Sequence, residues 1–283
     1  MHAFLPKKMR TKRKNPLWLA LPVAAAAMIL LILLLLPREE AAIRFTEPAA
    51  TPAVTTQPPE PATPEEILEA FAKDKGLSPD AWPEELLELW EKNPETEEFV
   101  LNYPILKDSD QTVHLGEFEF NEEMPLLMQW DTRWGYTDYG GSPLGLSGCG
   151  PTCLSMVCIY LLEDTKYDPA YVAQFSKQNG YCVPGNGSAW TLISQGGEQL
   201  GLDVRELPLH KGTVLQNLQK GLPVIFVMGP GDFTSSGHFI VATGCEGDLL
   251  RINDPNSAAN SEKLWAFDDI SDQIRNLWVC RKK

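Results

Sequence analysis

Histidine and basic charge are both scarce in this chain. Four histidines stand among 283 residues, so a role for imidazole in acid–base chemistry has few candidates. Residues 38–123 hold 22 acidic against 6 basic residues, and residues 124–283 hold 16 against 12. No basic patch follows the N-terminal segment, which argues against nucleic acid as a partner. The sequence has no internal repeat and no Gly-rich nucleotide-binding loop. Its six cysteines (149, 153, 158, 182, 245 and 280) include no pair at zinc-chelating spacing with a second cluster, so no metal or organic cofactor is implied.

Acidic residues are missing from residues 1–37, where Lys7, Lys8, Arg10, Lys12, Arg13 and Lys14 precede twenty uncharged residues, Leu17 to Leu36. Twenty residues at helical rise match a hydrocarbon core of about 30 Å. A signal peptide has a shorter apolar region, roughly 7–15 residues, and a small-residue cleavage site. The run here ends in Pro37-Arg38-Glu39-Glu40. The pattern predicts an uncleaved transmembrane signal anchor over 17–36, a cytoplasmic basic segment over 1–16 and the remainder outside the membrane.

Residues 37–62 are rich in Pro, Thr, Ala and Glu and lack periodicity, as expected of an extended linker. Residues 63–104 read as a small acidic helical module. Thr63-Pro64-Glu65-Glu66 has the form of a capping box, and Gly76 can end the first helix. Pro83–Lys92 predicts a second helix and "ETEEFVLNYP" a third that stops before Pro104. Further helices are expected over 151–162, "YDPAYVAQFSKQNG" and "GSAWTLISQGGEQLGL", with Ser188 as an N-cap and Trp190 beside a cleft. Strands are expected at 222–228, 238–244, 248–254 and 276–282. Helices followed by antiparallel strands give an α+β fold. Trp130, Trp134, Tyr136 and Tyr139 are expected to be core and cleft wall.

The chemistry centres on "LSGCGPTC". Cys149 lies between Gly148 and Gly150, which would leave room for a substrate backbone, and Pro151 suits a first helical turn. A thiol at a helix N-terminus feels the positive end of the macrodipole, which favours thiolate. The same segment offers backbone N–H groups to an oxyanion. Cys153 and Cys158, inside the helix, read as core. A thiolate needs a base, and of the four histidines only His238 opens an apolar strand, in "SSGHFIVATG". A hairpin closed by Cys245-Glu246-Gly247 would set Gly244 opposite Asp248, and hence His238 opposite Asp254, where a carboxylate can orient an imidazole.

Together, "QWD…GCGPTCLSMV", "GHFIVATG" and "NDPN" resemble the C39-like group of papain-fold cysteine peptidases, related to the enzymes that trim double-glycine leaders from bacteriocins. The resemblance covers residues 124–283. It implies Cys149 as nucleophile, His238 as base and acid, Asp254 as orienter and Gln129 as the side-chain donor of the oxyanion hole. Two features depart from the leader peptidases. Gln129 lies twenty residues before Cys149, and nothing resembles the ABC transporter to which those enzymes are fused.

The sequence therefore predicts a papain-like α+β cysteine peptidase, membrane-anchored and extracellular, with a bacterial source implied by the resemblance. Its substrate would be a peptide or protein, including cell-wall peptide. A peptidoglycan amidase or endopeptidase of the same chemistry, and a catalytically silent tethered binding module, are the alternatives.

Overall fold

The computed structural model describes residues 62–109, 115 and 123–283. The predicted basic segment, the span 17–36 and all but the last residue of the linker lie outside them. Among the described residues no helix is long and apolar enough to cross a membrane. Pro61–Lys283 forms one unit.

Helix α1 (Pro64–Lys75) begins with the expected capping box. Thr63 N–H donates to Glu66 at 3.0 Å, Glu66 N–H to Thr63 Oγ1 at 3.3 Å, and Gly76 closes the helix at φ 66°. Helix α2 (Glu84–Lys92) follows Pro83, and helix α3 (Glu97–Leu106) follows the turn Pro94–Thr96. The expected stop before Pro104 is corrected, because α3 runs two residues past it. Pro104 has no N–H to offer the Val100 carbonyl one turn earlier. The Trp82 indole N–H fills that vacancy at 2.8 Å, so the helix continues at no unsatisfied cost. Leu86, Trp90, Phe99 and Val100 form the buried heart of this module.

The rest is a six-stranded antiparallel sheet flanked by helices. Its strands are β3 (Leu202–Glu206), β4 (Val224–Met228), β5 (His238–Glu246), β6 (Leu249–Asn253), β7 (Leu264–Ala266) and β8 (Ile274–Lys282), in the order β3-β8-β4-β5-β6-β7. A two-stranded ribbon, β1 (Asp138–Tyr139) and β2 (Ser142–Pro143), precedes them. Strands β4 and β5 are apolar without alternation because both faces are covered. Ile225, Val227, Phe239 and Val241 pack toward α4 (Cys149–Leu162) and α5 (Pro169–Gln178). Their neighbours Phe226, Met228, Ile240 and Ala242 pack on the opposite side, with Val214 and Leu218 of α6 (Lys211–Leu218).

The hairpin register differs from the expected one. Glu246 pairs with Leu249, so the loop has two residues, with Gly247 at its first position and φ 60°. Glycine there is what a type II′ turn requires, and that turn matches strand twist better than the three-residue loop. A bulge at Thr243 then shifts the pairing by one, to Ala242↔Ile252 and Val241↔Asn253. Extending that register places Asp254 opposite Ile240, two residues from His238.

Candidate active site

Cys149 is the first residue of α4, and Gly148 before it supplies no capping side chain. The helix meets β5 at its start. One residue of that strand, Phe239, ties the helix to it: its carbonyl accepts the Cys153 thiol at 3.2 Å. The flanking glycines have a different cause from the expected one. A Cβ on Gly148 would strike Leu144, and one on Gly150 would come within 2.6 Å of Ser188 Oγ. The chain's own side chains, not a substrate backbone, fill that space. Ser188 is therefore no N-cap. Its hydroxyl bonds Tyr139 at 2.6 Å, and the following helix begins later, with π-type hydrogen bonding over Leu192–Gly196. Trp190 stays half-exposed, edge-on to Trp278. Trp134, Tyr136 and Tyr139 are buried.

His238 heads β5 and is 7% exposed, and Asp254 follows β6 at 1%. The His238 Nε2–H donates to Asp254 Oδ1 at 2.7 Å. Nδ1 is then the ring nitrogen left for the Cys149 sulfur, on which the ring acts electrostatically. Asp254 is fully occupied: Asn256 N–H donates to Oδ1 at 2.9 Å and Asn260 Nδ2 to Oδ2 at 2.9 Å. Asn260 has no counterpart in the sequence reading. Its signal was the capping pattern Ser257-x-x-Asn260, which puts a second amide beside the carboxylate.

These contacts decide the charges. Burial alone pushes the Cys149 thiol up, but the His238 ring and the N–H groups of Phe239 and Gly150 outweigh it, holding the thiol below its ordinary value. Burial pushes His238 down, and Asp254 with the Cys149 sulfur reverse that, raising the imidazole above its ordinary value. Asp254 lies below the usual carboxylate range, because bonding to His238, Asn260 and Asn256 exceeds the penalty of burial. The arrangement favours thiolate, imidazolium and carboxylate in sequence. Cys153 and Cys158 move the other way, pushed up by burial, and are poor nucleophiles. All six cysteines are free.

Gln129 is buried, 3% exposed, and donates Nε2–H to Gly145 O at 2.8 Å. Its backbone N–H donates to Pro255 O at 2.7 Å, tying it to the residue after Asp254. Gly145 belongs to the turn Leu144–Ser147, which leads from the β1–β2 ribbon to α4, so Gln129 is tied to the segment just before Cys149. The other histidine of the described C-terminal part, His210, caps α6, with Thr213 N–H donating to Nδ1 at 3.3 Å. His2 and His114 lie outside the described residues.

Residues 121–283 match the model of the Peptidase_C39 like family. The chain belongs to this family. Membership supports a cysteine peptidase function in general. Among solved structures, the chain is similar to the peptidase domain of Streptococcus ComA, a bifunctional ABC transporter of a quorum-sensing pathway. That likeness has 20% identity, 48% of this chain and 93% of the other covered, and a TM-score of 0.39. A Bacillus anthracis chain described as C39-like matches at 15% identity over 57% of this chain and 96% of its own, with a TM-score of 0.36. No curated protein matches. The family match begins after the helical module, so α1–α3 stand outside the part this C39-like chain shares with its family.

Proposed function

We propose that this chain is a membrane-anchored, extracytoplasmic cysteine peptidase that hydrolyses peptide bonds through Cys149, His238 and Asp254, with Gln129 at the oxyanion. The observation that carries the reading is the 2.7 Å hydrogen bond from buried His238 to buried Asp254, with the His238 ring acting on Cys149 at the start of a long helix.

In the acylation step the Cys149 thiolate adds to the peptide carbonyl carbon, and the carbonyl π electrons move to oxygen. The Cys149 N–H and the second Nε2 hydrogen of Gln129 stabilise that oxyanion. His238 gives its proton to the departing amine as the C–N bond breaks, leaving a thioester. Water then attacks the thioester, His238 accepts its proton, and the acid departs as the thiolate returns. Asp254 holds the ring and stabilises its cationic form.

The anchor rests on the uncharged stretch 17–36 behind six basic residues, which also supports a C-terminal part outside the membrane. The substrate is a peptide or protein, cell-wall peptide included. Incubating the chain with a peptide library, quenching in acid and mapping the adduct by mass spectrometry tests the reading. An acyl group on Cys149 is expected, and cleavage without any adduct on Cys149 would overturn it.

A further inference from the structure

We propose that the turn Pro94–Thr96 of the N-terminal helical module is a positioning device for the active site, through which Glu95 and Asn93 fix the 254–261 loop that carries Asp254 and Asn260. The inference rests on the triad reading above and deepens it.

The loop has little regular structure of its own. It leaves β6 at Asn253, contains Pro255 and ends in the single helical turn Ala258–Ser261. A loop of this kind needs external partners to hold a side chain to hydrogen-bond tolerance. The module supplies them. Glu95 Oε2 accepts the Ala258 N–H at 2.6 Å, while Oε1 accepts the Ala259 N–H at 3.1 Å and the Ser257 hydroxyl at 3.2 Å. Charge-assisted bonds of this type are about twice as strong as neutral ones. Asn93 Nδ2 donates to Asn256 O, which also receives the Trp130 indole N–H at 3.1 Å. Asn93 is itself fixed to the turn, its Oδ1 accepting the Glu95 N–H at 3.1 Å.

The route to the reacting atoms is short. Glu95 holds Ser257, Ser257 Oγ accepts the Asn260 N–H at 3.1 Å, Asn260 Nδ2 bonds Asp254, and Asp254 bonds His238. The same module touches the oxyanion side as well. A Cβ on Gly145 would run into the Phe99 ring of α3, and Gly145 O is the acceptor of Gln129 Nε2. One module outside the family match thus backs both flanks of the site.

Glu95 and Asn93 are positioning residues, tested by a readout that a purely structural role would not move. The rate of Cys149 alkylation by iodoacetamide, followed against pH in the full chain, reports the Cys149–His238 pair without a substrate. With Glu95→Ala the acid inflection should rise toward that of an ordinary thiol. A rise of one unit lowers alkylation about tenfold on the acid side. Glu95→Gln, which keeps one acceptor oxygen, should lie between the two. It carries the test if Glu95→Ala melts below the assay temperature. Unchanged inflections in folded Glu95 variants, beside a depressed inflection in the unmodified chain, overturn this inference alone. An ordinary-thiol inflection in the unmodified chain overturns the triad reading and this inference with it.

Discussion

His238 and Asp254 share a 2.7 Å hydrogen bond although the strand register places Ile240, not His238, opposite Asp254. They are diagonal neighbours, within reach of long side chains on one sheet face. The Thr243 bulge makes this possible. Side chains alternate faces along a strand, so the pairing near the turn, Glu246↔Leu249, would by itself put His238 and Asp254 on opposite faces. One extra residue on β5 restores the parity.

Deleting Thr243 should take out the unpaired residue itself, so that Ala242↔Ile252 and Gly244↔Arg251 run on as one continuous ladder. Leu250 and Ile252 then keep their buried face, and Asp254 stays diagonal to His238. Imidazole titration by NMR should therefore stay above that of an ordinary histidine. A fall to the ordinary value in the folded deletion variant contradicts this register.

The pH dependence follows from the directions of the shifts. Burial would raise Cys149 and lower His238, but their mutual interaction reverses both, helped by the Phe239 and Gly150 N–H groups at Cys149 and by Asp254 at His238. The thiolate–imidazolium pair forms as pH rises through the depressed thiol value and disappears as pH rises through the raised imidazole value. Peptide hydrolysis should be bell-shaped, with its acid limb below roughly 8.5 and its alkaline limb above roughly 6.5, the ordinary thiol and imidazole values. Both limbs belong to the coupled pair. Asp254→Asn should move the alkaline limb down, and an unmoved limb in kcat against pH contradicts the account.

In the helical module, Trp82→Phe should cost about 1–3 kcal/mol in a denaturant melt, because the buried Val100 carbonyl loses its donor and Pro104 cannot replace it. Cys149 alkylation should be unaffected, since Trp82 makes none of the hydrogen bonds between the 93–96 turn and the loop. A melt within about 0.5 kcal/mol of the unmodified chain, the range of a neutral surface change, contradicts the carbonyl argument.

Much of the site was legible where local chemistry decides. Cys149 stands at a helix start beside Pro151, Cys153 and Cys158 carry the helix's apolar content, and His238 opens a strand; the structure brings Cys149, His238 and Asp254 together. The capping box at Thr63 and the long apolar run at 222–228 were equally plain, because each is set by neighbours in sequence. The hairpin pairing was not. The two-residue turn shifts the expected pairing by three residues and the bulge returns one, and neither leaves an unambiguous residue signature at Thr243. Strands β3 and β7 and helix α6 escaped notice, since Leu202–Glu206, Leu264–Ala266 and Lys211–Leu218 are short and draw their stability from partners elsewhere in the chain. The roles of Gly150 and Ser188 were hidden for the same reason, as their contact joins segments nearly forty residues apart.

The central claim is that Cys149, and no other cysteine, is the nucleophile. The most direct measurement compares kcat for Cys149→Ala and Cys153→Ser on a peptide the unmodified chain cleaves, with circular dichroism confirming that both fold. Cys149→Ala should show no turnover, while Cys153→Ser, whose hydroxyl can still donate to Phe239 O, should keep kcat within about twofold, a change under about 0.5 kcal/mol. Turnover retained in folded Cys149→Ala, or lost in folded Cys153→Ser, would contradict the account.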